Sequence, residues 1–372
     1  MGDSERLRAA MRFHLAEGVG GVLFGRLVER FGGAEPAASA GPAAWRGVEG
    51  VGPKAAGAIA AVSDADIDAE LARAERAGAK VLCLADDAFP AALKPLHDPP
   101  PILYVLGELL PADAVALGVV GSRRSTHYGL EQAERFGGLL GRAGFTIVSG
   151  GARGIDAAAH RGALAAGGRT VAVMGCGLET LYPPDNKKIF RQILDERRGA
   201  IVSELPMAVG VLGQNFPKRN RLIAALGLGV LVVEAARRSG SLITARLAVE
   251  QGKEVFAVPG RVDSPFSQGT NQLIADGAAG LVQNIEDILD ALGRVGESLK
   301  ADGAAEAPAA APAVSDAEAA LLGHLAGAEL ALDDLIRRSG LPAHEVTAAM
   351  TTLAIKALVV RTPAGLFAAR GA

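Results

Sequence analysis

Hydrophobic positions in the middle of this chain fall into eight short β-rich runs, at 81–84, 102–105, 115–120, 145–148, 170–174, 200–203, 230–233 and 255–258. Most are separated by stretches of helical period. Strands that are apolar on both faces and alternate with helices predict an α/β fold with a mainly parallel, doubly wound sheet over residues 69–297. Residues 1–68 read as short helices broken at Gly18-Val19-Gly20 and Gly50-Val51-Gly52-Pro53-Lys54. The second break opens a helix in the manner of a helix-hairpin-helix unit, whose turn either offers backbone amides to a phosphate or packs against protein. Residues 298–314 are dominated by Ala, Pro, Gly and acid and read as a tether. Residues 315–372 show three helical stretches and a hairpin, the pattern of a winged helix.

Composition supports this division. Of 372 residues, 49% are hydrophobic and only 4% aromatic, as expected of a packed α/β protein. Cys83 and Cys176 are too few and too far apart for a disulfide framework or a thiolate metal site, so a reducing, cytoplasmic setting is expected. Residues 1–17 lack the apolar core of a secretory signal, and no run reaches 18 apolar residues, so no membrane insertion is expected. The formal net charge of −3 hides an asymmetry. Residues 210–262 carry eight cations against three carboxylates, and 286–347 carry twelve carboxylates against four cations. A basic centre between acidic ends suggests a local anion site.

Ligands of doubly wound sheets bind at the carboxyl ends of strands, and the loops there are informative. The third run is followed by Gly121-Ser122-Arg123-Arg124-Ser125, small residues with exposed amides and a guanidinium that fits phosphate. The fourth leads into Ser149-Gly150-Gly151-Ala152-Arg153-Gly154-Ile155-Asp156, of the same design. Beyond the fifth, Tyr182-Pro183-Pro184-Asp185-Asn186-Lys187-Lys188-Ile189-Phe190 pairs cations with rings, which suits a nucleic-acid strand or an ordinary solvated helix start. The hexapeptide Phe216-Pro217-Lys218-Arg219-Asn220-Arg221, expected as a loop at a strand mouth, concentrates three cations. The last loop ends in Ser239-Gly240-Ser241.

Asp156 and His160, four apart, admit an acid/base or metal pair, but with no third ligand nearby a structural hydrogen bond is favoured. Gly175-Cys176-Gly177 lacks the third glycine of a dinucleotide fingerprint, and no Walker motif occurs. With no Ser-His-Asp, Cys-His or metal-ligand set, the expectation is no catalytic residue, no cofactor and no metal. These loops read as a site that holds an extended polyanion without cutting it.

The same residues resemble the DprA/Smf family of bacterial DNA-processing proteins. Val120-Gly121-Ser122-Arg123, the 149–156 loop, Tyr182-Pro183-Pro184-Asp185-Asn186, Ser203-Glu204, the hexapeptide with Leu222-Ile223, Ser239-Gly240-Ser241-Leu242-Ile243-Thr244-Ala245, Glu254-Val255-Phe256-Ala257-Val258-Pro259-Gly260 and Gly269-Thr270-Asn271-Gln272-Leu273-Ile274 carry the resemblance, in order. It implies an extended Rossmann-like domain, here 69–297, flanked by a small helical domain and a winged helix. It implies that this domain binds single-stranded DNA, forms a homodimer, and helps load the RecA recombinase onto strands coated by single-strand-binding protein during natural transformation. The DNA-binding positions are then Gly121, Ser122, Arg123, Ser149, Gly150, Arg153, Asn186, Lys187, Lys188, Phe190, Lys218, Arg219, Asn220, Arg221, Gly240 and Ser241.

The rival reading is a lysine-decarboxylase-like nucleotide phosphoribohydrolase. Its Pro-Gly-Gly-x-Gly-Thr-x-x-Glu signature is absent, and Glu234 is followed by Ala235-Ala236-Arg237. The winged helix is not expected to read DNA, because 342–354 holds Glu345 and neither lysine nor arginine. Arg361 and Arg370 in the wing point weakly the other way.

Overall fold

A computed structural model describes residues 2–293, 314–326, 328–355, 358–361 and 366–369. Nine strands form one sheet: β1 (Lys80–Cys83), β2 (Ile102–Gly107), β3 (Ala116–Val120), β4 (Thr146–Ser149), β5 (Thr170–Val173), β6 (Gly199–Ser203), β7 (Gly229–Val232), β8 (Glu254–Ala257) and β9 (Gly280–Leu281). Their order is β1-β2-β6-β5-β4-β3-β7-β8-β9. The pairs β1–β2 and β2–β6 are antiparallel and the others parallel. The eight expected strands are present, shifted by a residue or two at their ends. β9 was not expected, since two residues carry no periodicity.

Both faces of the sheet are covered, which is why its strands read as continuous apolar runs. Leu117 and Val119 of β3 pack with Phe136, Leu140, Ile155 and Ala159 from the helices His127–Arg142 and Ile155–Ala165. Ala116 and Val120 turn the other way, towards Leu222 and Ile223 of the helix Asn215–Leu226 and Ala245 of the helix Ser241–Glu250. From β3 the chain runs outward through β4, β5 and β6, then returns to place β7, β8 and β9 on the other side. The connections leaving β3 and β7 diverge, and a crevice opens between their carboxyl ends.

The contacts divide the chain into two compact units, Met1–Gly303 and Ala304–Ala372. Residues 1–68, expected as a domain of their own, share a core with the sheet: Met11, Phe13, Ile59 and Ile67 pack in one cluster with Ile102, Tyr104, Ala172 and Ile201. Glu70 adds a polar tie, accepting the Met207 amide at 2.6 Å. In the second unit, the helices Asp316–Leu325, Leu332–Ser339 and Ala343–Ile355 and the antiparallel strands β10 (Val359–Arg361) and β11 (Phe367–Ala369) enclose Leu321, Leu325, Leu335, Val346, Leu353 and Val359. This is a winged-helix arrangement. The expected tether lies outside the described residues save for Val314, as do residues 362–365 of the expected hairpin and Arg370. No described helix is long and apolar enough to cross a membrane.

Candidate nucleic-acid interface

The hexapeptide is helical, which corrects the expected loop. Phe216 to Arg221 form the opening turns of Asn215–Leu226, with Pro217 in the first turn, where its missing amide hydrogen breaks no helical bond. Helical spacing then separates its side chains. Phe216, Asn220 and Ile223 face the crevice between β3 and β7, whereas Asn215, Lys218 and Arg221 line a cavity on the opposite flank.

The crevice has a volume of about 510 Å³. Gly121 to Arg124 follow β3, Ala152 and Asp156 follow β4, Phe216 to Ile223 come from the helix, and Ser239 to Thr244 follow β7. Four elements distant in sequence therefore build one wall. The Arg123 guanidinium lies 4.8 Å from the centre of the Phe216 ring, a cation–π contact worth about 0.5–1 kcal/mol at an exposed site. It holds an exposed arginine in place and leaves its N–H donors available.

The loop that carries Arg123 is fastened by Glu234, just beyond β7. The Ser122 amide donates to the Glu234 carbonyl at 2.7 Å, and the Thr126 amide and hydroxyl donate to the two carboxylate oxygens at 2.8 and 2.7 Å. The Ser122 hydroxyl donates to the Arg124 carbonyl at 2.8 Å, and the Thr126 hydroxyl caps His127–Arg142 by accepting the Gly129 amide at 3.1 Å. Gly154, at φ 79°, rests against the backbone of Ser122 and Arg123, where a Cβ would collide. The β3 and β4 loops thus touch through glycine.

Arg219 is 4% exposed and faces inward. It donates to the carbonyls of Gly150, at 2.8 Å, and Val173. Burial pulls it down to about 10, still a cation at neutral pH, with the buried Asp156 carboxylate opposing that shift. Asp156 accepts the amides of Gly150 and Ala152 at 3.1 and 3.3 Å, and burial pushes its carboxyl up. Gly150 is required here, because a Cβ would stand 2.6 Å from the Arg219 guanidinium and 2.7 Å from the Asp156 carboxylate. His160 is engaged elsewhere. The Thr170 hydroxyl gives its hydrogen to the Ile147 carbonyl at 2.7 Å, so His160 Nδ1 donates to Thr170 at 2.6 Å and Nε2 is left bare.

Sequence patterns place the chain. The family described as DNA recombination-mediator protein A matches residues 80–293, and a family described as DprA winged helix domain matches 305–365. The chain belongs to the DNA recombination-mediator protein A family. A relative named protein Smf from Escherichia coli (strain K12) is 48% identical over 204 residues, 55% of this chain, and the match spans 54% of that protein's length. The X-ray structure of DNA processing protein A from Streptococcus pneumoniae matches at 32% identity and TM-score 0.65, over 76% of this chain and 97% of that one. A Helicobacter pylori structure described as giving insight into the single-stranded DNA binding mode of DNA processing protein A matches at 32% identity and TM-score 0.51, over 60% of this chain and 96% of that one.

In this member of the DNA recombination-mediator protein A family the crevice gathers Gly121, Ser122, Arg123, Arg219, Asn220, Gly240 and Ser241 from the expected positions. Several others are placed differently. Ser149 is fully buried and donates to the Val119 carbonyl at 2.6 Å. Phe190 is buried in the core, and Asn186 donates to the carbonyls of Gly151 and Ala152 at 2.8 and 3.0 Å. With Arg219 and Gly150, these are internal braces and not exposed contacts, because their polar groups are already paired or their surface is covered. Arg221 is neutralised by Glu204 and Asp98, at 2.6 and 2.7 Å. Burial works against its charge, but those two carboxylates outweigh it and hold it above the ordinary arginine value. Arg153 pairs with Asp185 at 2.7 Å on the surface.

Lys187, Lys188 and Lys218 are exposed without an ion-pair partner among the described residues, as are Arg123 and three arginines missing from the expected set: Arg124, Arg237 and Arg238. Phe216 was also missed as a site residue. Its place before Pro217, at a helix start, was the available signal. Among the described residues no group of three or more His, Cys, Asp or Glu is arranged to hold a metal ion.

Proposed function

We propose that this chain binds single-stranded DNA along the carboxyl edge of its sheet, protects it, and helps a RecA recombinase replace single-strand-binding protein during natural transformation, without catalytic turnover. The observation that carries the reading is Arg123: exposed, without an ion pair among the described residues, and stacked on Phe216 at the mouth of the switch-point crevice. A cation set on an aromatic ring suits a strand that presents phosphates and unpaired bases together. Arg124, Lys218, Arg237 and Arg238 extend the positive surface on either side. The Helicobacter pylori relative, described by its single-stranded DNA binding mode, supports the reading.

The nucleotide-hydrolase alternative finds less support. Glu234, which follows β7, has both carboxylate oxygens engaged by Thr126. The working form is a cytoplasmic homodimer joined through the Rossmann-like domain. In a competition assay, a labelled oligo-dT held by the protein should be displaced by unlabelled single strand far more readily than by duplex, and the protein should speed RecA assembly on coated strand. Equal displacement by duplex would overturn the binding claim; an unchanged RecA rate would overturn the loading claim alone.

A further inference from the structure

Between Glu204, just after β6, and Lys218 in the helix Asn215–Leu226 the chain carries no charged side chain. This uncharged loop interrupts the positive surface at the carboxyl edge of the sheet, and its base is firmly held. Met207 is buried; its amide donates to the Glu70 carboxylate at 2.6 Å, and its carbonyl accepts the Glu179 amide at 3.2 Å. The Val209 carbonyl accepts the Gly177 amide at 2.7 Å, and the Asn215 amide donates back to the Leu212 carbonyl at 3.0 Å. The tip, residues 210–214, is exposed throughout. Val211 and Leu212, at 40% and 49%, are the one pair of sequence neighbours among the large hydrophobic residues exposed in the described part of the chain. An apolar pair held out in water by fixed loop ends marks a contact surface.

The place of the tip identifies its occupant. Gly213 lines the Arg123 crevice, and Leu212 precedes it by one Cα step, about 3.8 Å. On the helix that follows, Phe216 faces that crevice and Lys218 the opposite flank, with the exposed Pro217 between them. A strand held by Arg123 on one side and Lys218 on the other crosses the first turn of this helix, beside the tip. Its phosphates meet no cation there, so what it offers Val211 and Leu212 is the apolar face of a base. Aliphatic side chains can wedge against or between bases. Unpaired bases open to them without breaking base pairs, whereas a duplex must give up pairing as well as stacking. Resting on the single-stranded DNA reading above, we infer that Val211 and Leu212 form an apolar wedge that packs against bases of the bound strand and favours single strands over duplex. Every base has such a face, so the wedge adds affinity without selecting sequence.

The test compares a labelled dT12 with an abasic strand of the same length, which keeps the phosphates and lacks the bases. The double variant Val211→Ser, Leu212→Ser should bind dT12 about fivefold more weakly, the size of a small apolar burial. It should bind the abasic strand as the parent does and keep the parent's salt slope, because no phosphate contact is lost. Its preference for dT12 over duplex should shrink by the same factor, with the thermal midpoint unchanged. Arg123→Ala, in contrast, should weaken binding of both strands. Unchanged dT12 affinity in the double variant overturns the wedge and leaves strand binding standing. An equal loss on both strands, or a shallower salt slope, also overturns it, since the tip would then act through the phosphates. Failure of the parent to bind dT12 overturns the wedge and the proposed function together.

Discussion

Thr126 and Glu234, 108 residues apart in sequence, meet through two hydrogen bonds that use both carboxylate oxygens. Glu234 is 1% exposed and does not line the crevice, yet it fixes the loop that carries Arg123. Replacing it with alanine should cost about 2–4 kcal/mol, since buried donors lose charged acceptors, and should also weaken oligo-dT binding. Urea unfolding and fluorescence anisotropy measure the two effects. A stability loss with unchanged affinity would show that the loop's position does not matter to binding.

Arg219 and Lys218 are neighbours with opposite roles. Arg219→Ala should destabilise the fold by about 3–5 kcal/mol, because it leaves the buried Asp156 carboxylate without its compensating cation. Lys218→Ala should shift stability by no more than about 0.5 kcal/mol and lower strand affinity about fivefold, the size of one lost phosphate contact near 0.1 M salt. Unfolding curves and binding isotherms for the two variants should therefore separate cleanly. A reversal of the pattern would mean the brace and the contact have been exchanged.

Buried histidines set a pH dependence of stability. Burial lowers His160 to about 3 and His14 to about 4. Each takes up its proton on unfolding, so the unfolded chain binds more protons between those values and about 6.5, and stability falls as pH is lowered through that window. At pH 5, His160 alone should cost about 2 kcal/mol relative to pH 7.5, at about 1.4 kcal/mol per pH unit below 6.5, and His14 acts in the same direction. His160→Gln should flatten the dependence of the urea midpoint on pH. An equally steep dependence in the variant would contradict this account.

The winged-helix unit has its own core, and its helix Ala343–Ile355 contains Glu345 but no lysine or arginine. Removing residues 315–372 should leave oligo-dT affinity within about twofold, as expected when no phosphate contacts are lost. A tenfold loss in the truncated protein would assign the winged helix to the DNA surface.

Much of this architecture is legible in the sequence because double burial imprints itself on composition. Runs such as Leu117 to Val120 are apolar at every position, so the parallel sheet and its carboxyl-edge loops can be read directly. Phe216 to Arg221 misled because a proline and three cations look like a loop until the first turn of a helix is recognised as a place where proline is tolerated. The role of each cation was not legible. Lys218, Arg219 and Arg221 differ only in which flank of one helix they occupy and which distant carboxylate they meet, and Asp98, Asp156 and Glu204 are brought there by tertiary packing. Local pattern finds the anion site; only the packed structure tells a brace from a contact.

The central claim, that the Arg123 crevice holds a DNA strand by its phosphates, is tested most directly by the salt dependence of oligo-dT binding in the parent and in Arg123→Ala. Affinity of the parent should fall steeply with salt, and the variant should bind more weakly at every concentration with a log–log slope shallower by about 0.7, one single-strand phosphate contact. Superimposable salt curves for parent and variant would contradict it.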